Sequence, residues 1–116
     1  MPHDDSAALL DIVNAFARVR ELIGERTADD FLRDEMLREA VQYRLIIAGE
    51  AVKRLTPAFR EAHPGIRWSA IAGLRDVLVH AYERVDYLEI WNIAAAHTPT
   101  VLDYVTPLLP RRDASD

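Results

Sequence analysis

From Leu37 onward the apolar residues Leu37, Val41, Leu45, Ala48, Val52 and Leu55 recur in steps of three and four, with Phe31 leading the same face. That spacing lines one side of an α-helix and cannot line one side of a strand, whose side chains alternate with a period of two. Thr27 with Asp30 three positions on reads as a capping box, with Asp in place of the usual Glu or Gln. Pro57 marks the stop, so one helix of about 28 residues, roughly 40 Å long, is predicted. Such a helix is stable only when other elements cover its stripe, and the rest of the chain supplies helices to do so.

Three further helices are predicted. Asp4, Asp5 and Ser6 are capping candidates before the stripe Leu9, Ile12, Val13, Phe16, Val19 and Ile23, which Gly24 ends. The connector from Pro57 to Trp68 is read as holding a short helical turn at 58–62 and a turn at His63-Pro64-Gly65. A third helix begins near Arg67–Ser69 and carries Ile71, Leu74, Leu78 and Ala81. Asp86, with Glu89 three residues on, starts a fourth that runs past Trp91 to Leu108, and Pro99 inside it is expected to remove one backbone bond and kink it. There is no strand-period run and no repeat. The expected fold is therefore all-α, a four-helix up-and-down bundle. With 116 residues it forms one domain over 1–109, and the tail 110–116 is expected to be frayed. Gly49 and Gly73 each cost a helix about 1 kcal/mol relative to Ala, and close helix–helix approach is the expected reason. Trp68 and Trp91 are expected in the core or at an interface.

Composition narrows the function classes. The chain has no cysteine, which removes disulfides and thiolate metal sites. The first residues lack the basic start and apolar stretch of a secretory signal, and no apolar run approaches the roughly 20 residues that span a bilayer, so a cytoplasmic protein without membrane contact is expected. His63, His80 and His97 share no ligand spacing, and neither a His-Glu-x-x-His pattern nor a glycine-rich phosphate loop occurs; no metal and no cofactor is expected. Ser6, Ser69 and Ser115 have no nucleophile setting. A net charge of −5 argues against non-specific coating of nucleic acid. Residues 51–84 depart from that balance. Six basic residues there (Lys53, Arg54, Arg60, Arg67, Arg75 and Arg84) face three acids, Glu61, Asp76 and Glu83. By charge alone this is a mildly basic, solvated face.

Chemistry concentrates in Trp68-Ser69-Ala70-Ile71-Ala72-Gly73-Leu74-Arg75-Asp76-Val77-Leu78-Val79-His80-Ala81-Tyr82. A guanidinium such as that of Arg75 forks onto phosphate oxygens and offsets transition-state charge. The imidazole of His80 can accept the proton of a ribose 2′-hydroxyl or donate one to a leaving oxygen near neutral pH. Taken singly, Arg75 and His80 also read as solvated helix residues and Tyr82 as an amphipathic anchor.

The pattern as a whole resembles the HEPN superfamily. Arg75-Asp76-x-x-x-His80 looks like its Arg-(polar)-x(3)-His signature, and His80-Ala81-Tyr82 completes the Arg-x(4)-His-x-Tyr form of HepT-like toxins. The run Arg44–Lys53 with Gly49-Glu50-Ala51, the approach Trp68-x-x-Ile71-x-Gly73-x-Arg75, and Asp86 followed by Trp91 extend the similarity over most of the chain. The resemblance implies a HEPN bundle of four to five helices, forming a homodimer with the active cleft at its interface. It implies a metal-independent endoribonuclease in which Arg75 and His80 act on RNA and Asp76 orients them. It also implies a toxin–antitoxin system, in which a cognate minimal nucleotidyltransferase antitoxin silences the toxin by attaching AMP to Tyr82.

Helix geometry adds a constraint. At about 100° per residue Arg75 and His80 lie roughly 140° apart, so either the helix distorts near His80 or the two groups converge across a two-fold axis. Two other readings stand beside the ribonuclease: a non-catalytic helical dimer that binds a nucleotidyltransferase partner or a nucleotide, and a bare helical interaction domain. Glu50, set among apolar residues, is open to a place at a dimer seam or behind the site.

Overall fold

The computed structural model describes residues 5–110, and among them the regular structure is helical, with no strand. Four long helices, α1 (Ser6–Ile23), α3 (Glu35–Arg54), α5 (Trp68–His80) and α6 (Tyr87–Val105), are joined by two short ones, α2 (Ala28–Arg33) and α4 (Pro57–Ala62). Single 3-10 turns follow α5 at Tyr82–Arg84 and α6 at Thr106–Leu108. The all-α bundle read from the periodicity is the fold found. No helix is long and apolar enough to cross a membrane. Asp4 and the segment 111–116 lie outside the described residues.

The helix expected from Thr27 to Leu55 is two helices. Its opening is as predicted: the Thr27 hydroxyl accepts from Asp30 N–H, and the Asp30 carboxylate accepts from Thr27 N–H. One turn later Asp34 leaves the helix (φ −112°, ψ 98°) and caps α3, its carboxylate accepting from Leu37 N–H at 3.0 Å. An Asp side chain competes for backbone N–H groups in this way, which a reading by apolar spacing does not register. Carbonyls freed at the break are not abandoned: the Arg38 guanidinium donates to Leu32 O at 2.6 Å and to Phe31 O at 3.3 Å. The apolar register survives the break. Phe31, Leu37, Val41, Leu45, Ala48, Val52 and Leu55 are all buried.

Other ends follow the sequence. Gly24 closes α1 at φ 48°, where its N–H reaches Arg20 O. Asp86 caps α6 by accepting from the N–H groups of Leu88 and Glu89. The short turn expected at 58–62 is α4, with Thr56 as its cap and Pro57 in its first turn. Asp5 stands at the cap position of α1, where its carbonyl accepts from Leu9 N–H but its side chain makes no cap bond. Its carboxylate instead accepts from the N–H and hydroxyl of Thr56, tying the start of the chain to the start of α4. α6 continues helical through Pro99.

α1 and α3 form the central pair. α6 packs on α1 and α5 on α3, which spreads the molecule into a slab of 45 × 32 × 21 Å. Between α5 and α6 runs an open apolar trough of about 440 Å³, lined by Phe16 and Leu45 among others. The core proper lies along α1, α3 and α6, whereas α5 contributes only Trp68 and Leu78 as fully buried residues. Trp68 anchors its helix twice, with its ring edge-on to Phe59 and its Nε1 donating to His63 O at 2.8 Å. Trp91 is half-buried and lies against Phe31.

Replacing Asp34 by Ala is expected to lower stability by about 1 kcal/mol, while Asn at this position retains most of it. Urea titration followed by circular dichroism measures both; an Ala variant as stable as the parent would show that the α2–α3 break does not need its cap.

Candidate functional site

The site grows from one close approach. A Cβ added to Gly49 of α3 would lie 2.2 Å from Arg75 Cβ and 2.9 Å from Ile71 O, so the two helices touch there and only a hydrogen fits between them. This meets the expectation for Gly49. Gly73 differs: among the described residues no neighbouring element comes within 4 Å of a Cβ built on it, so no described helix explains it.

Pressed against α3, Arg75 is part-buried and its guanidinium is held at two corners. Nη2 donates to Glu50 Oε1 at 3.1 Å and Nη1 to Asp76 Oδ1 at 3.1 Å. Its Nε is buried and has no partner among the described residues. Asp76 accepts a second charged hydrogen bond from Lys53 Nζ. Two acids and two bases thus alternate across the α3–α5 seam as Glu50, Arg75, Asp76 and Lys53. The bonds to Lys53 and then Arg75 hold the Asp76 carboxyl below its ordinary range. Those to Glu50 and then Asp76 raise Arg75 further above an already high value. Both groups are fully charged at neutral pH. Because Glu50, Lys53 and Asp76 face solvent, the network contributes little to stability and acts mainly to fix where the guanidinium points.

His80 is the last residue of α5 and is exposed. Among the described residues it makes no hydrogen bond or ion pair, and its ring faces solvent. The helix runs unbroken to this residue, and Ala81 ends it with an N–H bond to Val77 O. Tyr82 opens the following 3-10 turn, and its side chain lies outside the described part of the structure. Of the residues singled out in the sequence, Arg75 and Asp76 are therefore bonded to each other, whereas Asp76 makes no bond to His80. Among the described residues no three His, Cys, Asp or Glu side chains gather where they could hold a metal ion.

Glu50 and Lys53 take part in this site, although the motif does not contain them. The signal available was positional: they follow Gly49 at one and four residues, and a glycine in a helix interior marks where another helix comes close. Polar residues flanking such a point are the ones positioned to meet whatever the second helix presents.

The helical bundle thus carries the Arg75–Asp76 pair bonded on one helix and an exposed His80 five residues further on, the residues on which the HEPN resemblance rests. The model of the family described as Ribonuclease HepT-like matches residues 12–108. Three relatives match over most of their lengths. Putative RNase MJ1380 of Methanocaldococcus jannaschii is 34% identical over 98 residues, covering 84% of this chain and 90% of that one. Putative RNase MJ0127 of the same organism is 32% identical over 117 residues, covering 100% of this chain and 97% of that one. Probable ribonuclease HepT of Thermococcus cleftensis is 37% identical over 93 residues, covering 80% and 84%. No solved structure matches the chain. The chain belongs to the HepT-like ribonuclease family of the HEPN superfamily.

Gly49→Ala is expected to force α3 and α5 apart, since both atoms in the way are a backbone oxygen and the first carbon of a side chain. A loss of about 1–3 kcal/mol in urea unfolding is expected. A variant as stable as the parent would mean that the seam yields without cost.

Proposed function

We propose that this protein is a cytoplasmic toxin of a toxin–antitoxin pair, an endoribonuclease in which Arg75 and His80 are the catalytic residues and Asp76 positions Arg75. The observation that carries the reading is a guanidinium immobilised at the α3–α5 seam on the same helix as an exposed, unpartnered imidazole. In the reaction a ribose 2′-oxygen attacks the adjacent phosphorus and the bond to the 5′-oxygen of the next nucleotide breaks. The products are a 2′,3′-cyclic phosphate and a 5′-hydroxyl. His80 takes the 2′-proton or supplies one to the leaving oxygen, and Arg75 meets the growing charge on the phosphate.

A homodimer belongs to this proposal. Because α5 stays helical through His80, the roughly 140° between Arg75 and His80 is not removed by a distortion of the helix, which favours convergence of groups from two subunits. Val77 and Val79, exposed on the same helix, supply apolar surface for a second copy. Regulation belongs to it as well: the Tyr82 hydroxyl attacks the α-phosphorus of ATP in a cognate nucleotidyltransferase, acquiring AMP as pyrophosphate leaves. A bulky anion two residues from His80 would then repel RNA from the site.

One observation favours a second reading, a dimer that pairs with the nucleotidyltransferase without cutting RNA. Arg75 is already neutralised by two carboxylates, so a substrate phosphate has to compete with Glu50 or Asp76 for it.

Purified Arg75→Ala and His80→Ala proteins are expected to cleave RNA at least about a hundredfold more slowly than the wild type while keeping its circular dichroism spectrum. Undiminished cleavage by His80→Ala would end the catalytic assignment, and a wild type that never cuts RNA yet pairs with its partner would favour the second reading. Incubation with the nucleotidyltransferase and ATP is expected to add one or more AMP units to the intact mass, and Tyr82→Phe to prevent it. An unchanged wild-type mass removes the regulatory part alone.

A further inference from the structure

At the other end of α5 lies a groove that the catalytic proposal does not use. It is open, about 700 Å³ in volume, and formed where α4 meets the start of α5, with Arg60, Glu61, Arg67 and Ser69 among its lining residues. Two guanidinium groups face one carboxylate there. Among the described residues neither Arg60 nor Arg67 makes an ion pair or side-chain hydrogen bond, and Arg60 Nε is buried without a partner there. Arg18, Arg54 and Arg75, by contrast, are each paired with a carboxylate. Arg67 also stands at the cap position of α5 and offers no side-chain acceptor to the first N–H groups of that helix. Those groups and the two guanidinium groups are all donors. A groove furnished with donors and one acid calls for a ligand furnished with acceptors.

The groove is connected to the catalytic end by the register of the helix. Ser69 and His80 are eleven residues apart, three turns and about 20°, so they lie on one line along α5. Gly73 lies between them on that line, exposed and without a side chain, and open space stands above it. From Ser69 to His80 the helix rises about 16 Å along that line, a span of a few nucleotides of single strand. A strand whose backbone sits by His80 can therefore run over Gly73 and set another phosphate among Arg60, Arg67 and the start of α5.

We propose that this groove is a second phosphate subsite for single-stranded RNA, holding the backbone a few nucleotides from the bond that is cut. The proposal rests on RNA being the ligand of the catalytic end, and it gives the mildly basic segment 51–84 a place to act. It also accounts for binding by a chain whose net charge is negative, because only local charge has to be positive. The contacts are to the backbone and carry no sequence preference.

The test uses the full-length His80→Ala protein, which holds RNA without processing it, and a fluorescently labelled single-stranded oligoribonucleotide long enough to span both ends of α5. In anisotropy titrations the added pair Arg60→Ala and Arg67→Ala is expected to weaken binding about tenfold or more, and the slope of log affinity against log salt is expected to become shallower by about 1.4. Ser69→Asp guards against misfolding. A negative charge in the first turn favours the helix, so its melting temperature should hold or rise while RNA binding weakens. Affinity and salt slope unchanged in Ser69→Asp and in the folded double variant would overturn the subsite. If wild-type protein does not cleave RNA but these binding changes appear, only the catalytic reading falls; if it cleaves and they do not appear, only the subsite falls.

Discussion

The contact between Gly49 and Arg75 decides where the candidate chemistry of this molecule can stand. α5 is the least embedded of the long helices, with only Trp68 and Leu78 fully buried. Trp68 fixes its beginning and Leu78 lies near its end. Between them the helix is seated by direct contact of its backbone and the stem of Arg75 with a residue that has no side chain. Any larger residue at 49 would tilt or lift α5, and Arg75 would be displaced from Glu50. The geometry of the site is thus a property of α3 as much as of the helix that carries the motif.

Charge placement follows from that seat. Arg75 emerges beside Glu50 because the two helices touch one residue earlier, and Asp76 reaches Lys53 because it is the next residue round α5. Exposed pairs of this kind are worth at most about 1 kcal/mol each, so their consequence is orientation. A long flexible side chain loses most of its freedom when both ends of its fork are bonded, and that loss has already been met before any ligand arrives. The same bonds impose a competition, because each carboxylate occupies a donor that a phosphate would need. The lowered Asp76 carboxyl stays ionised through the neutral range and keeps this competition in force.

Much of the bundle was legible in the order of residues, and the failures have definite causes. Apolar spacing identified the buried face of α1 and of α3 because burial acts on whole stripes, and capping chemistry at Thr27, Gly24 and Asp86 marked ends because those backbone groups need local partners. The break at Asp34 was hidden for the same reason that the stripe was visible. Phe31 and Leu37 remain buried on both sides of it, so periodicity passes over a local event decided by one carboxylate and by Arg38. The pairing of Arg75 with Asp76 could be read from adjacency. Its further links to Glu50 and Lys53, 25 and 23 residues away, depend on how two helices cross, which spacing within either helix does not encode. Close approach is the expectation at Gly73 as at Gly49, yet this glycine faces outward on an edge helix and meets no neighbouring element among the described residues.

Three uses of α5 are separated by angle. Trp68 and Leu78 turn inward to the core, Arg75 turns to α3, and Ser69, Gly73 and His80 share an outward line. A helix in the middle of the bundle could not serve in this way, since every face would be spent on packing. An edge helix has a free face but fewer contacts to hold it, and the close seat at Gly49 compensates for what burial does not supply. That division explains why a guanidinium and an imidazole on one helix point apart: Arg75 faces the neighbour that orients it, and His80 faces solvent. Under the proposed reaction, bringing both to one phosphate requires surface from outside this copy of the helix, and a two-fold partner at the same edge would supply it.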